Sequence, residues 1–256
     1  MDKSQARKMV WEKLRHVALP DSRFHFEFQS YIPDFIGSDQ ALVRLIGLKI
    51  YQDSRLLFIT PDNCLEGLRC RALQDGKTLL VTSYAIRRGF YVLEPERVSP
   101  ADYRYASTLD GMERVGRPVT LYELKSLGKI DLVVTGASVI NLQGVRFGKG
   151  HGFFDLEWGM LYMVGMVSPE TILVAFVHDY QIVDLNLEAT LYDSVCDMIV
   201  TPSQIIAMEN PQKPTTGILW EKLEPGMLES IPPLQELKQG KTYHPHELQD
   251  HEPTRN

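Results

Sequence analysis

One stretch constrains this chain more than any other: Gly144-Val-Arg-Phe-Gly-Lys-Gly-His-Gly-Phe-Phe-Asp155. It follows the apolar, β-branched run Asp131-Leu-Val-Val-Thr135, part of an expected strand from Ile130 to Ile140. A helical pattern from Asp155 to Val167 comes after it. Glycines at alternate positions let the backbone approach a ligand closely and take positive φ. Successive N–H groups can then form a nest for phosphate oxygens, and the helix N-terminus adds positive potential. Arg146 and Lys149 supply cations for a polyphosphate. Asp155, at the helix start, is a good Mg²⁺ ligand, directly or through water. Each part alone has a plainer reading, since Gly-x-Gly-x-Gly is common in turns and a carboxylate at a helix start is often only a cap. Their conjunction in one strand–loop–helix favours a phosphate site. The Lys-Ser/Thr ending of a Walker A loop is missing, and Gly-x-Gly-x-x-Gly does not fit.

The rest of the chain supplies an α/β frame. Asp2 to Val17 reads as a helix capped by Asp2, with Ala6, Val10 and Leu14 on one face. A second helix is expected from Ser38 to about Tyr51, and a short one from Cys64 to Leu73. Strands are expected at Leu56–Thr60, Thr78–Thr82, Thr171–Val177 and Asp197–Thr201, with Ile205–Ala207 extending the sheet. Arg87 to Arg117 reads mostly as loop. Short apolar runs between helical patterns imply a mostly parallel sheet sandwiched by helices, which binds ligands at the carboxyl ends of its strands. A single domain is expected over residues 1–225, followed by a C-terminal extension over 226–256. From about Gly240 the composition is that of a disordered tail.

The net charge of −6 argues against a dedicated nucleic-acid binder. Three cysteines with no C-x-x-C pair point away from a disulfide framework or zinc site and toward a reducing compartment. No stretch approaches 18 apolar residues, and the first 16 residues do not form a signal peptide.

Arg146-Phe-Gly-Lys-Gly-His-Gly-Phe-Phe-Asp155 resembles the Arg-Leu-Gly-x-Gly-x-Gly-Tyr-Tyr-Asp motif of the 5-formyltetrahydrofolate cyclo-ligases. Lys3 and Arg7 resemble the family's Lys-x-x-x-Arg near the N-terminus. Asp131-Leu-Val-Val-Thr-Gly136 resembles the strand leading into the loop. Gln181-Ile-Val183 and Tyr192-Asp-Ser-Val-Cys-Asp197 resemble Gln-x-Val and His-Asp-x-x-Val-Asp. The pieces occur in family order over roughly residues 3 to 202. Ile32-Pro-Asp-Phe-Ile-Gly-Ser38, Asp155-Leu-Glu-Trp158 and Val177-His-Asp-Tyr-Gln181 look most like the methenyltetrahydrofolate synthetase domain-containing branch.

The resemblance implies a NagB/RpiA/CoA transferase-like α/β sandwich. It implies an ATP- and Mg²⁺-dependent enzyme that activates the formyl oxygen of 5-formyltetrahydrofolate, so that the neighbouring amine closes the ring to 5,10-methenyltetrahydrofolate. It assigns nucleotide binding to Lys3, Arg7, Arg146, Gly148, Lys149, Gly150, His151, Gly152, Phe153 and Phe154. Arg146 and Lys149 would also be catalytic, and Asp155 and Asp193 would hold Mg²⁺. A small-molecule folate substrate and a cytoplasmic location go with it; the sequence leaves the oligomeric state open, with a monomer favoured. The alternatives are a non-catalytic nucleotide- or folate-binding relative, and an RNA-associated protein suggested by branch relatives that carry an RNA-recognition domain.

The chain departs from the family at several points. Phe35 occupies the place of a folate-contacting Glu, with Asp34 one position earlier as a substitute. Phe153 and Phe154 replace two tyrosines, and Tyr192 replaces a His. Lys149 and His151 fall at variable family positions. Among other residues, His178-Asp179 reads as a turn-stabilising pair or a ligand-orienting one. Arg87 and Arg88 read as solvated, with a folate glutamate tail as the sharper alternative. Trp11, Trp158 and Trp220 read as core or partial core. His244, His246 and His251 belong to the tail.

Overall fold

The structure, a computed structural model, describes residues 2–240. Eleven strands are present among them: β1 Leu56–Ile59, β2 Thr78–Thr82, β3 Phe90–Leu93, β4 Arg117–Val119, β5 Leu132–Thr135, β6 Val139–Asn141, β7 Arg146–Phe147, β8 Ile172–Phe176, β9 Ile182–Val183, β10 Met198–Val200 and β11 Ile205–Ala207. The helices are α1 Lys3–Leu14, α2 Ser38–Ile46, α3 Lys49–Asp53, α4 Glu66–Gln74, α5 Tyr103–Ala106, α6 Leu109–Val115, α7 Leu121–Leu124, α8 Phe153–Met163, α9 Met227–Ser230 and α10 Pro232–Gln239.

Eight strands form one sheet in the order β11-β10-β8-β5-β1-β2-β3-β4. Its centre, from β10 to β2, is parallel. The edges β11, β3 and β4 join antiparallel. The central strands are apolar throughout because both faces are covered. Alternate residues go to opposite cores. Phe58, Leu80, Val133 and Ala175 pack against α7, α8 and α10 through Leu124, Trp158, Leu161 and Leu234. Leu57, Leu79, Val134 and Val174 pack against α2, α4 and α6 through Leu45, Leu68, Ala72 and Met112. The expected sandwich is therefore present.

Three expectations need correction. The helix expected from Ser38 to about Tyr51 is two, α2 and α3, parted at Gly47 and Leu48. The apolar run Ile130–Ile140 is two strands rather than one. β5 ends at Thr135, and the Gly136 N–H donates to the Asp62 carboxylate (3.0 Å). β6 then pairs with β7 and β9 in a separate three-stranded sheet. Arg87–Arg117, read mostly as loop, carries β3, α5 and α6.

Asp2 and Gln5 cap α1 reciprocally, as a capping box does. Ala6 and Val10 of α1 bury against Val139, Phe147 and Val183 of the small sheet, which lays the helix beside the glycine loop. Residues 226–239 include α9 and α10, and Ile231 and Leu234 lie in the main core. The expected disordered tail and its three histidines fall at 241–256, outside the described residues.

Candidate active site

A cleft of about 230 Å³ opens where the central strands end. Thr60, Pro61 and Asp62 follow β1, Tyr84 and Ala85 follow β2, and Thr135 and Gly136 close β5. This is the carboxyl edge of the sheet, where parallel α/β sheets bind ligands. The roof is the loop between β7 and α8. All twelve residues singled out from the sequence for nucleotide or Mg²⁺, from Lys3 to Asp193, line this one cleft.

The loop needs its glycines where the backbone turns through positive φ, at Gly150 (122°) and Gly152 (66°). Gly152 starts α8, and no side chain caps that helix end. Its first-turn N–H groups and positive dipole end are left for an anion. Asp155, in the first turn, turns aside to accept from the Ser194 N–H and hydroxyl, both 3.1 Å away.

Three cations converge on the loop. Arg7 Nε donates to the Gly148 carbonyl (2.7 Å), and its guanidinium lies over Phe147. Burial, then the charge of Arg146, lower the Arg7 pKa. Lys3 Nζ pairs with Asp193 Oδ2 at 2.5 Å. Arg146 is 3% exposed, stacked on Phe154 with Cζ 4.6 Å from the ring centroid. Its nearest carboxylate oxygen is Asp155 Oδ1 at 3.9 Å, and Nε and Nη1 have no hydrogen-bond partner. Two unsatisfied guanidinium donors in a buried setting are rare and costly.

Asp155 and Asp193 suit a magnesium ion. Each spends one carboxylate oxygen on protein donors, Asp155 on Ser194 and Asp193 on Thr190 and Lys3. Among the described residues no hydrogen bond reaches Asp155 Oδ2 or Asp193 Oδ1. Burial raises the Asp155 pKa, and the Asp193 charge adds to that. For Asp193 burial also pushes upward, but the bonds from Lys3 and Thr190 outweigh it and bring its pKa below the usual value. Two carboxylates, with phosphate and water completing the shell, are a donor set Mg²⁺ accepts.

Lys149 is held elsewhere in the cleft. Its ammonium donates to the Ser30 carbonyl (3.2 Å) and lies over the Tyr84 ring, and burial lowers its pKa. Beyond it the walls are Phe24, Tyr31 and Tyr84, the Phe24 ring stacking on both Tyr31 (5.3 Å) and Tyr84 (5.4 Å), with Asp62, Asn63 and Glu157. Glu157 is 3% exposed, accepts from the Thr82 hydroxyl (2.5 Å), and is pushed up to about 8 by burial. Asp62 and Glu157 were missed in the sequence. The strand-end rule, applied to the end of β1, would have found Asp62, but Glu157, on a helix, gave no local signal. Ala85 holds φ 55°, a strained conformation at the cleft edge.

Neither Phe35 nor Asp34 lines this cleft. Phe35 is 1% exposed and packs against Phe176 and His178. Arg88 pairs with Glu113, and neither Arg87 nor Arg88 reaches the cleft. His178 Nδ1 accepts from the Tyr180 N–H while Asp179 accepts from the Thr201 and Ser203 hydroxyls, the turn-stabilising arrangement. Trp158 is buried, and its indole donates to the Pro214 carbonyl (3.1 Å).

The chain is 33% identical over 241 residues to the human methenyltetrahydrofolate synthase domain-containing protein, covering 93% of this chain and 62% of that protein. The zebrafish (Danio rerio) protein of the same name is 31% identical over 239 residues, covering 92% and 61%. The chain thus spans about three-fifths of the length of these relatives. The solution structure of Aquifex aeolicus 5,10-methenyltetrahydrofolate synthetase superposes with a TM-score of 0.50 at 17% identity, covering 82% of this chain and 94% of that one, a likeness of fold. Among the described residues no helix is long and apolar enough to cross a membrane. The model of the 5-formyltetrahydrofolate cyclo-ligase family matches residues 1–202, the span that holds the glycine loop, the cations and both carboxylates, and the chain belongs to that family.

Proposed function

We propose that this chain uses Mg-ATP to convert 5-formyltetrahydrofolate to 5,10-methenyltetrahydrofolate, in the cytoplasm. The observation that carries the reading is Arg146: a buried guanidinium with two donors unpaired, beside an uncapped helix N-terminus. A polyphosphate satisfies both at once. Lys3 and Arg7 add positive charge at the same loop. Asp155 and Asp193 would hold Mg²⁺, which would neutralise charge on the phosphates when bound.

Phosphoryl transfer to a weakly nucleophilic formyl oxygen depends on positioning and charge neutralisation more than on a covalent nucleophile. The formyl oxygen takes the γ-phosphoryl group and ADP departs. The neighbouring amine then attacks the activated carbon, and phosphate leaves with the oxygen. The stacked wall of Phe24, Tyr31 and Tyr84 suits a flat heterocycle, and Asp62 and Glu157 offer partners to its N–H groups. Lys149, between that wall and the loop, is placed to steady the transferring group.

The test mixes purified protein, Mg-ATP and 5-formyltetrahydrofolate and follows the absorbance of the methenyl product. Growth that requires ATP and is abolished in Arg146→Ala supports the reading. Binding of both ligands with no product supports a second one, a non-catalytic nucleotide- or folate-binding relative. The placement of Phe35 in the core, where the family carries a folate-contacting Glu, favours that second reading.

A further inference from the structure

Arg69 of α4 is 1% exposed, and among the described residues it forms no ion pair. Its three hydrogen bonds all go to backbone carbonyls: Nε to Ser107 (2.8 Å), Nη1 to Thr60 (2.6 Å) and Asp62 (3.1 Å). Arg71, two residues on, is exposed and pairs with Asp75. Burial lowers the Arg69 pKa to about 10, so it stays a cation at neutral pH. A buried charge with no counter-charge costs the fold, and an apolar side chain of similar volume often serves stability as well or better. Packing alone therefore gives no reason for an arginine here.

The end of β1 gives one. The Thr60 N–H donates to the Val134 carbonyl (3.1 Å) of β5. A parallel ladder that continued would next take the Gly136 N–H to the Thr60 carbonyl. Both groups are diverted. The Thr60 carbonyl accepts from Arg69, and the Gly136 N–H donates to Asp62 Oδ2 (3.0 Å). The Thr60 hydroxyl donates to the same oxygen at 2.6 Å. Among the described residues no hydrogen bond reaches Asp62 Oδ1, and Asp62 lines the first cleft. We propose that Arg69 is a positioning residue for the acceptor: it draws the Thr60 and Asp62 carbonyls back toward α4, ends the β1–β5 ladder, and so leaves the Gly136 N–H to fix the Asp62 carboxylate in the cleft.

The proposal rests on the reading above, in which Asp62 meets the N–H groups of the acceptor heterocycle. A guanidinium suits the task because its donors point in fixed, different directions. Nε anchors it on Ser107, just past α5, while Nη1 spans the two carbonyls of the β1 end. A lysine ammonium is a point donor on a flexible stem and cannot hold the same fork. Arg69→Lys thus keeps the charge and loses the fork. Arg69→Met keeps most of the volume and loses both.

Calorimetric titration of the full chain with 5-formyltetrahydrofolate and, separately, with Mg-ATP tests the assignment. Each Arg69 variant should weaken 5-formyltetrahydrofolate binding about tenfold or more and keep Mg-ATP affinity within about twofold, Arg69→Met losing more than Arg69→Lys. In an Asp62→Ala background, Arg69→Lys should cost no more than about twofold further, the non-additivity of residues that act as one unit. The assignment is overturned if Arg69→Lys keeps 5-formyltetrahydrofolate affinity, or costs as much with Asp62→Ala as without it. It is equally overturned if Asp62→Ala itself costs nothing. Loss of both ligands alike, or of the thermal unfolding transition, in both Arg69 variants would make Arg69 a support of the fold, which also overturns it. A wild-type chain that binds Mg-ATP but no 5-formyltetrahydrofolate is a different failure, that of the acceptor reading, and the assignment goes with it.

Discussion

Arg146 is a group that costs the fold something. A buried guanidinium lacking hydrogen-bond partners for Nε and Nη1 forfeits solvation that its stacking on Phe154 and its 3.9 Å approach to Asp155 return only in part. Such a group persists when a ligand completes it, in line with the tension between stability and function. Hydrogen bonds to charged groups contribute about 1.5–3 kcal/mol, so Arg146→Ala should lower ATP affinity by roughly ten- to a hundredfold. Equilibrium titration of the variant against Mg-ATP reads this directly. A second residue sets an acid limit. Asp21 accepts from Arg23 Nε, Nη2 and N–H and from Asn63 Nδ2. The Arg23 side-chain bond, chiefly, holds its pKa well below the usual carboxylate value. A depressed folded-state pKa means a contribution fully present above the unfolded value, about 3.9, and lost as pH falls through the folded one. Asp21 ties the turn carrying Phe24 to Asn63, two residues of the cleft wall. Asp21→Asn should therefore flatten the loss of melting temperature between pH 5 and pH 2, relative to wild type. Thermal melts across that range decide it, and parallel curves would remove Asp21 from the account.

At the scale of elements, α7 is too short to hold itself. Thr120 and Glu123 close a capping box, and Glu236 of α10 accepts from the Leu121 N–H (3.0 Å) and the Tyr122 N–H (3.2 Å). Glu236→Ala removes that second acceptor, and the loss should be about 1–2 kcal/mol, as for helix caps. Urea denaturation should show a lower midpoint with an unchanged slope. These elements also mark what the sequence discloses. α1, β1, β2, β8 and β10 were legible because each has a single period and a clear boundary, Asp2 at one and Pro61 at another. The break after Thr135 was not, because Val139-Ile-Asn141 continues the apolar run of β5 while pairing in a different sheet. β3 and β4 were obscured by Pro95, Pro100 and Pro118. Proline reads locally as a breaker, although an edge strand such as β4 tolerates it.

For the whole molecule, the glycine loop was legible because its chemistry is contiguous in sequence. The wall opposite it comes from three strand ends brought together by the order β5-β1-β2, and no local pattern encodes that adjacency. The same holds for the far end of the chain. The family match stops at residue 202, yet Ile218, Ile231 and Leu234 belong to the core between the sheet and α8, and Trp158 finds its carbonyl at Pro214. Burying one such aliphatic side chain contributes about 1.5–3 kcal/mol, so three contribute about 5–9 kcal/mol. That is comparable with the whole stability of a domain, about 5–15 kcal/mol. A chain truncated after residue 202 would also expose the apolar side of α8. It should lose cooperative thermal unfolding and bind a hydrophobic dye, whereas the chain ending at residue 240 should melt in one transition. If the 202-residue chain instead melted cooperatively within a few degrees of the longer one, residues 203–240 would be an appendage rather than part of the core.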